Sequence, residues 1–253
     1  MPYFDDPSQE SVDEAFDRAM DMMRGSGFNV SQAVGVVVDN KLDIMGYTRP
    51  ERDGNLIVVS ENALKSGFVE GLLVHEIAHI YRSSINHPSH NRRIFSSVLR
   101  KFSRKLKRDY QKDAVIGIMN HLEDLYADDI AFMALINGKA LSPSMLGRFI
   151  QGWVKEKPAR TGNSERDRWN NAIIMLSNSF AISNMERHSL PDANFRARDT
   201  NLKFLYAINP SAAERFGYFN RLMVGMRDDI GDKEFKAMLE EYVRTFLEVV
   251  KAI

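Results

Sequence analysis

The sequence predicts an α+β fold in which a small, mostly antiparallel sheet is followed by a predominantly helical bundle. Two observations carry this prediction. The β-branched runs that are typical of strands fall between residues 33 and 60 and are bounded by turn-forming residues. From about residue 66 onward, apolar residues instead recur at the three- and four-residue spacing of helices. Strands grouped in one stretch and helices in another indicate an α+β chain.

The elements follow in order along the chain. A first helix is predicted over residues 8–24, because Val12, Phe16 and Met23 recur at helical spacing and two glycines follow. Three strands are predicted over residues 33–38, 42–47 and 55–60. Further helices are predicted over residues 67–84, 89–110, 112–137, 142–156, 165–186, 199–208, 212–226 and 233–252.

The length of 253 residues fits one large domain or two smaller ones. We expect a catalytic region over residues 1–157 and a helical region over residues 158–253 packed on it, or one continuous domain. Proline and glycine residues between positions 157 and 164 mark the seam between the two regions.

Composition excludes several classes of protein. Hydrophobic residues make up 44% and charged residues 27%, which is typical of a chain that buries a core. Lys+Arg and Asp+Glu both number 34, so the net charge gives no general attraction to nucleic acid or to anionic membranes. The sequence has no cysteine, which excludes disulfides and thiolate ligands. Any metal must therefore be held by His, Asp, Glu or water.

The sequence also predicts where the protein resides. No stretch reaches the roughly 18 apolar residues of a membrane span, so no membrane partner is expected. Residues 1–14 are acidic and lack both the basic and the apolar regions of a secretory signal. We therefore expect a cytoplasmic protein.

One motif carries chemistry: His75, Glu76 and His79 form an HExxH sequence within the predicted helix at residues 67–84. Residues four apart lie on one face of a helix, so both imidazoles can reach one ion. Three protein ligands on zinc leave one position for water, whose pKa the ion lowers toward about 7. Glu76 is placed as the general base for that water. The alternative interpretation is a buried helix whose histidines satisfy hydrogen bonds in the core.

A third ligand must come from elsewhere, because Ile85 stands where one group of HExxH enzymes has a third histidine. The best candidate is the acidic segment at residues 120–129. The HExxH motif and this later acidic helix together resemble the gluzincin branch of the zincin metallopeptidases, including the soluble minigluzincins and the catalytic domain of the HtpX family. The resemblance covers residues 30–135, and it implies a zincin-like fold, a zinc ion and hydrolysis of peptide bonds.

In those families an acidic residue binds zinc, and an aspartate four residues later hydrogen-bonds a ligating histidine. Matching Ala127 and Asp128 to the family's Ala-Asp pair gives Asp128 this second role and puts Asp124 at the ligand position, where the family has a glutamate. Glu123 has the more usual chemistry but lies about 100° away around the helix. We favour Asp124 and keep Glu123; His121 is a weaker candidate. A solvated acidic helix face is the interpretation without metal.

The resemblance also gives a role to the strand predicted over residues 55–60. In zincins an edge strand just before the HExxH helix pairs with the backbone of the substrate. Leu56, Ile57, Val58 and Val59 are therefore expected to bind an extended peptide by strand addition. An ordinary sheet strand is the alternative. The membrane-spanning hairpins of the HtpX family have no counterpart in this sequence.

Two weaker signals follow the motif. His87 and His90 are candidates for a rim or a substrate contact, but a turn with Ser89 as the N-cap of the next helix is favoured. Nine lysines and arginines then lie between residues 91 and 112, beside a regular apolar stripe. They can bind nucleic acid or an acidic partner, although a solvated basic face is the favoured interpretation.

The leading hypothesis is a zinc-dependent metallopeptidase that acts on a peptide or protein substrate. The first alternative is a latent or catalytically silent zincin fold that binds metal and serves as an interaction protein. The second alternative is a nucleic-acid-associated protein that uses the basic helix at residues 91–108.

Overall fold

The computed structural model describes residues 7–209 and 212–253 and has the α+β class that the sequence predicts. Helices hold 68% of the chain, and the sheet has three strands in the described residues. Contacts group the chain into two units, residues 1–90 with 126–142 and residues 91–125 with 143–253. The predicted seam at residues 157–164 lies inside the second unit. Residues 1–6, which hold part of the stretch used to judge secretion, lie outside the described residues.

The first unit contains the sheet and the helix that carries the HExxH motif. Helix α1 packs against helix α3 through a stripe of fully buried residues that includes Val12, Ala19 and Met23. Both helices lie close to their predicted positions. The elements of this unit are α1 (Pro7–Gly25), β1 (Ala33–Asp39), β2 (Gly46–Glu51), β3 (Gly54–Ser60), α2 (Glu61–Lys65), α3 (Val69–Ser84) and the C-terminal part of α5 (Asp109–Asn137).

The sheet is mixed, and the prediction of a mostly antiparallel sheet was wrong. Its strand order is β1-β3-β2, with β1 parallel and β2 antiparallel to β3. Strand β3 takes the centre because it is the most buried strand, with Ile57 and Val59 fully inaccessible to solvent. Gly54 permits the parallel pairing to begin, since a Cβ there would lie only 2.2 Å from the carbonyl oxygen of Ala33.

The central position of β3 also corrects the predicted substrate contact. Leu56, Ile57, Val58 and Val59 pair with β1 on one side and with β2 on the other. Strand addition needs unpaired N–H and C=O groups along a sheet edge, and both edges of β3 are already used. These four residues are therefore sheet core, and among the described strands β1 and β2 form the edges.

Helix α3 is buried along most of its length, as its sequence indicates. Leu73, Val74, Ile77 and Ala78 are all inaccessible to solvent. The helix contacts β2, β3 and α1, so that these apolar residues cover the sheet and the first helix. This packing fixes the helix and leaves the face with the two motif histidines partly exposed.

The second unit is helical in its described residues. Helix α7 forms its centre and packs against α6, α8, α9 and α10. Buried asparagines and serines of α7, such as Asn178, hydrogen-bond neighbouring segments. The unit contains α4 (Arg92–Phe102), the N-terminal part of α5, α6 (Pro143–Gln151), α7 (Ser164–Arg187), α8 (Arg196–Ile208), α9 (Ala212–Val224) and α10 (Asp232–Ala252).

Helix α4 differs from the helix predicted over residues 89–110. Its N-cap is Asn91, whose side chain accepts from the N–H of Arg93 at 3.0 Å, and so the predicted cap at Ser89 was wrong. The helix ends at Phe102 because a short 3-10 turn, Ser103–Lys105, follows it. Throughout the described residues, every helix is too short or too polar to cross a membrane.

The basic side chains of this region are exposed, and the apolar stripe beside them is buried. Lys101, Arg108 and Lys112 form ion pairs with carboxylates of the second unit. The remaining six of the nine have no ion pair among the described residues, and they are Arg92, Arg93, Arg100, Arg104, Lys105 and Lys107.

Candidate metal centre

The HExxH motif presents two imidazoles to one point beside helix α3. His75 and His79 lie one turn apart, and their Nε2 atoms are 2.9 Å from each other. The rings meet edge to face, with centroids 4.6 Å apart. Two imidazole nitrogens that converge in this way can ligate a single cation.

Asp128, on helix α5, holds the outer nitrogen of His75. Its side chain is buried, and its Oδ1 lies 2.9 Å from His75 Nδ1. An ionised carboxylate only accepts hydrogen bonds, so Nδ1 of His75 carries the proton and donates it. The lone pair of the ring is then on Nε2, the atom that faces His79. The resemblance to gluzincins implies this contact for Asp128.

Both candidates for the third ligand come near the histidines. The ligand atoms of His75, His79 and Asp124 all lie within 4.8 Å of one another. Glu123 belongs to a second group of this kind, together with His79 and His90. Each of these residues is partly buried. Of the two carboxylates, Asp124 groups with both motif histidines, whereas Glu123 groups with His79 and His90 and not with His75.

Glu76 lies between the two motif histidines in the sequence, and a residue of the sheet hydrogen-bonds its carboxylate. Its side chain is buried, and Oε2 accepts a hydrogen bond of 2.7 Å from the Thr48 hydroxyl. Thr48 lies on β2, which is an edge strand among the described strands. A buried carboxylate is costly unless it is hydrogen-bonded, and Thr48 supplies one such bond.

His90 belongs to this centre, although the sequence favours a simple turn there. A 3-10 turn, Pro88–His90, follows α3 and brings the imidazole back to the helix. The Nε2 of His90 lies 2.8 Å from Nδ1 of His79. His90 is therefore in contact with a motif histidine, which the favoured sequence interpretation did not foresee.

The turn at the C-terminal end of helix α3 explains why His90 lies beside this helix. The N–H of His87 donates to the carbonyl of Arg82, and the N–H of Asn86 donates to that of Ser83. Asn86 has a left-handed φ of 55°. This pattern is a Schellman motif, for which asparagine after the helix and proline soon afterwards are the sequence signal. Asn86 and Pro88 provide that signal and were the available clue.

Ser89 extends the contacts of His90 to a second buried histidine. The Oγ of Ser89 lies 2.8 Å from Nδ1 of His90 and 2.7 Å from Nδ1 of His87. The backbone N–H of Ser89 also donates to Nδ1 of His87, at 3.3 Å. Ser89 and His87 are both buried. We call His87, Ser89 and His90 the histidine–serine network.

The surroundings of His90 keep its ring neutral. Burial, the largest cause, and the neighbouring His79, His87, Arg82 and His75 together lower the pKa of His90 from 6.5 to about 2. A neutral imidazole has one donor nitrogen and one acceptor nitrogen.

His121, the weaker candidate ligand, belongs to neither metal-binding group found in the described residues. Its ring stacks on Phe180, with centroids 5.2 Å apart and the planes 14° from parallel. Burial lowers its pKa from 6.5 to about 4. Its Nδ1 has no hydrogen-bond partner in the described part of the chain. These contacts are those of a packed histidine.

The donor set fits a zinc ion. His75 and His79 supply converging imidazole nitrogens, and one of two nearby carboxylates supplies oxygen. Nitrogen and carboxylate oxygen are ordinary zinc ligands in sites where three protein groups leave a position for water. The hydrogen bond from His75 to Asp128 is the usual outer support of such a ligand.

Fold and centre together define an α+β, mostly helical protein with histidines and carboxylates gathered beside its HExxH helix. The chain belongs to DUF5781, a family of unknown function, which matches residues 8–248. No curated protein and no solved structure matches the chain.

Proposed function

We propose that this protein is a zinc-dependent metallopeptidase of the zincin type. The observation that carries the proposal is the convergence of the two motif imidazoles, whose Nε2 atoms lie 2.9 Å apart while Asp128 holds the outer nitrogen of His75. Helices that merely bury histidines have no need to aim two ligand nitrogens at one point. The resemblance of the HExxH and acidic motifs to gluzincins supports the same function.

In this proposal His75, His79 and Asp124 hold the zinc ion, with Glu123 as the alternative third ligand. When bound, the ion supplies Lewis-acid activation of a water molecule and of the scissile carbonyl. Asp124 is favoured because its carboxylate groups with both motif histidines. Glu123 groups instead with His79 and His90, and Nε2 of His90 lies 2.8 Å from Nδ1 of His79.

Glu76 acts as the general base in this proposal. Its carboxylate takes a proton from the attacking water and later delivers it to the amine that leaves. The hydrogen bond from Thr48 orients the carboxylate, since one of its oxygens is fixed at 2.7 Å from the hydroxyl. The proton is thus accepted by a group whose position is set by the sheet.

An extended peptide is the substrate that the sheet edge can receive. Strand β2 pairs with β3 alone among the described strands, so its other edge offers backbone N–H and C=O groups. Thr48 on this strand hydrogen-bonds Glu76, so the edge and the general base are adjacent. A substrate strand added to β2 replaces the role first expected of β3.

Metal analysis and a hydrolysis assay test the proposal together. We expect about one zinc per chain in the purified protein, sharply reduced in His75→Ala and His79→Ala. Denatured casein and a library of quenched fluorescent peptides serve as substrates. Hydrolysis should be lost in Glu76→Gln while the metal stays bound. Hydrolysis that persists in Glu76→Gln would contradict the proposed mechanism.

Two alternatives predict different results. Zinc without hydrolysis of any peptide in the library would favour a silent zincin fold that serves as a metal-bound interaction protein. The six basic side chains near α4 that lack ion pairs among the described residues favour the second alternative, a nucleic-acid-associated protein. Its binding to a single-stranded oligonucleotide, followed by fluorescence anisotropy, should weaken steeply with salt.

A further inference from the structure

We propose that the protein has a second site for a divalent transition-metal ion, held by His79, His90 and Glu123. The ligand atoms of these three residues all lie within 4.8 Å of one another, as do those of His75, His79 and Asp124. The second site therefore lies beside the proposed zinc site and shares His79 with it. The inference goes beyond the proposed function and rests on it only through this shared histidine.

The two nitrogens of His79 lie close to two different histidines. Its Nε2 is 2.9 Å from Nε2 of His75, and its Nδ1 is 2.8 Å from Nε2 of His90. The two nitrogens of an imidazole are distinct ligand atoms, so two ions that bind one ring do not compete for the same atom. Each nitrogen of His79 thus has an imidazole nitrogen of another residue beside it, as a shared ligand requires.

Each site also has a carboxylate of its own. Asp124 groups with both motif histidines, whereas Glu123 groups with His79 and His90. Adjacent residues of a helix point about 100° apart, so neighbouring side chains of α5 reach different points. Two ions explain why both carboxylates lie near ligand histidines, whereas a single ion with three protein ligands explains only one of them.

The segment that carries His90 supports it as a ligand. His90 ends the 3-10 turn Pro88–His90, in which Ser89 is fully buried. In the histidine–serine network, the Oγ of Ser89 lies 2.8 Å from Nδ1 of His90. A hydrogen-bond acceptor on the outer nitrogen is the usual support for an imidazole that binds a metal through its other nitrogen, and a hydroxyl can accept. Asp128 supports His75 at the same nitrogen.

Occupation of both sites makes His79 a bridging imidazolate. A neutral imidazole that binds one ion through Nε2 carries its proton on Nδ1. The second ion forms a bond to Nδ1 and displaces this proton, which passes to water, and no electrons are transferred. Because a proton must leave, the second ion should bind more weakly than the first. Purified protein is therefore expected to hold about one zinc ion, and added zinc fills the second site.

The donor atoms select the class of ion for the second site. Two imidazole nitrogens with one carboxylate oxygen suit Zn²⁺, Cu²⁺ and Ni²⁺, whereas Mg²⁺ and Ca²⁺ prefer oxygen ligands. The sequence has no cysteine, so thiolates do not compete for the ion. We therefore expect the second site to bind zinc or copper and to bind neither Mg²⁺ nor Ca²⁺.

A titration with zinc, applied to variants of each site, tests the proposal. The native protein should bind about two zinc ions per chain at saturation, measured by calorimetry and by elemental analysis after gel filtration. His90→Ala and Glu123→Gln should each lose the second ion and keep the first. His75→Ala should lose the first ion and keep the second. His79→Ala should lose both, because the two sites share this residue.

His121→Phe is the matched control, because it removes a histidine of helix α5 that belongs to neither group of ligands. It should keep both ions. A single zinc ion at saturation of the native protein would overturn the inference and leave the proposed function standing. A second ion that survives in His90→Ala would also overturn it, since that ion is bound elsewhere. Two zinc ions without hydrolysis of any peptide would contradict the proposed function alone.

Circular dichroism checks that each variant is folded. If His90→Ala does not fold, Glu123→Gln decides, because it keeps the shape of the side chain and removes only the charge. Loss of the first ion in a folded His90→Ala protein would make His90 a ligand of that ion and would overturn the second site.

Electron paramagnetic resonance of the copper-loaded protein tests the shared histidine without any assay of hydrolysis. Two Cu²⁺ ions joined by one imidazolate couple their spins. At liquid-helium temperature the native protein should therefore give much less signal than two separate ions give. His90→Ala, with a single Cu²⁺ ion, should give the full signal of that ion. A full signal from both ions in the native protein would show that they do not share His79 and would overturn the proposal.

Discussion

His75 and Asp128 are 53 residues apart in the chain, yet the imidazole Nδ1 and the carboxylate Oδ1 lie 2.9 Å from each other. The aspartate is buried, so the contact is shielded from water and from salt. It connects the HExxH helix to α5 and defines which nitrogen of His75 faces the proposed ion. The strength of metal binding should therefore depend on Asp128 although this residue is not a ligand.

Asp128→Asn should weaken zinc binding about 10–100-fold, because an amide only partly replaces the carboxylate that orients His75. Competition with a chelating indicator measures the affinity. Asp113→Asn is the control, since it removes an equal charge from an exposed position of the same helix. An unchanged affinity in Asp128→Asn would remove Asp128 from the centre.

Glu76→Gln should keep the bound zinc and lower hydrolysis by about 10²–10⁴-fold. The amide has nearly the shape of the carboxylate but cannot accept a proton, so the loss is that of a general base. The measurement is the initial rate of peptide cleavage at matched zinc occupancy. Zinc loss in this variant would instead make Glu76 a ligand.

The third ligand can be identified by comparing Asp124→Asn with Glu123→Gln. Both substitutions remove one charge from adjacent positions of α5, so each is the control of the other. We expect Asp124→Asn to weaken zinc binding the more, because Asp124 groups with both motif histidines. The opposite order would assign the ligand role to Glu123 and move the ion toward His90.

The sequence was sufficient to predict those residues of the candidate metal centre whose relative positions follow from the helical repeat alone. His75 and His79 occupy one face of a helix whatever the rest of the fold does, and the four-residue interval from Asp124 to Asp128 follows the same rule. These spacings depend on local geometry alone. The α+β class was predictable for a similar reason, since the period of apolar residues reflects the local secondary structure.

Contacts between residues far apart in the sequence could not be predicted from local periodicity. The parallel register that sets Val36 opposite Ile57 depends on which strand becomes central, and local periodicity does not contain that information. The position of His90 depends on the left-handed turn at Asn86 and on the packing of the segment that follows. Asn86 and Pro88 indicated that the helix ends there, but they did not indicate where the chain then leads.

Thr48→Val should lower hydrolysis about fivefold and leave zinc affinity unchanged. The substitution keeps the shape of the side chain and removes the hydroxyl that donates to Glu76 at 2.7 Å. Loss of one such hydrogen bond is worth about 1 kcal/mol, which corresponds to about fivefold in rate if it orients the base. Thr48→Ser retains the donor and should restore the native rate. Equal rates in all three proteins would show that Thr48 has no part in orienting Glu76.

His121 should make the protein less stable in acid, independently of the proposed activity. Burial lowers the pKa of His121 to about 4 from its ordinary 6.5, and the charge of Asp124 opposes this shift only in part. As the pH falls below 6.5, His121 becomes protonated in the unfolded chain while it stays largely neutral in the folded chain. The free energy of unfolding therefore decreases. The decrease levels off below about pH 4 and amounts to about 3 kcal/mol from this residue.

His121→Phe should remove this acid-dependent loss, since phenylalanine does not titrate and can keep the stacking on Phe180. The free energy of unfolding is measured in urea between pH 4 and pH 8, with a chelator present so that metal release does not contribute. Ser177→Ala is the control, because it removes the 3.4 Å contact to His121 Nε2 without removing the titrating ring. It should keep the native pH dependence. Parallel curves for His121→Phe and the native protein would show that the buried imidazole is not the group responsible.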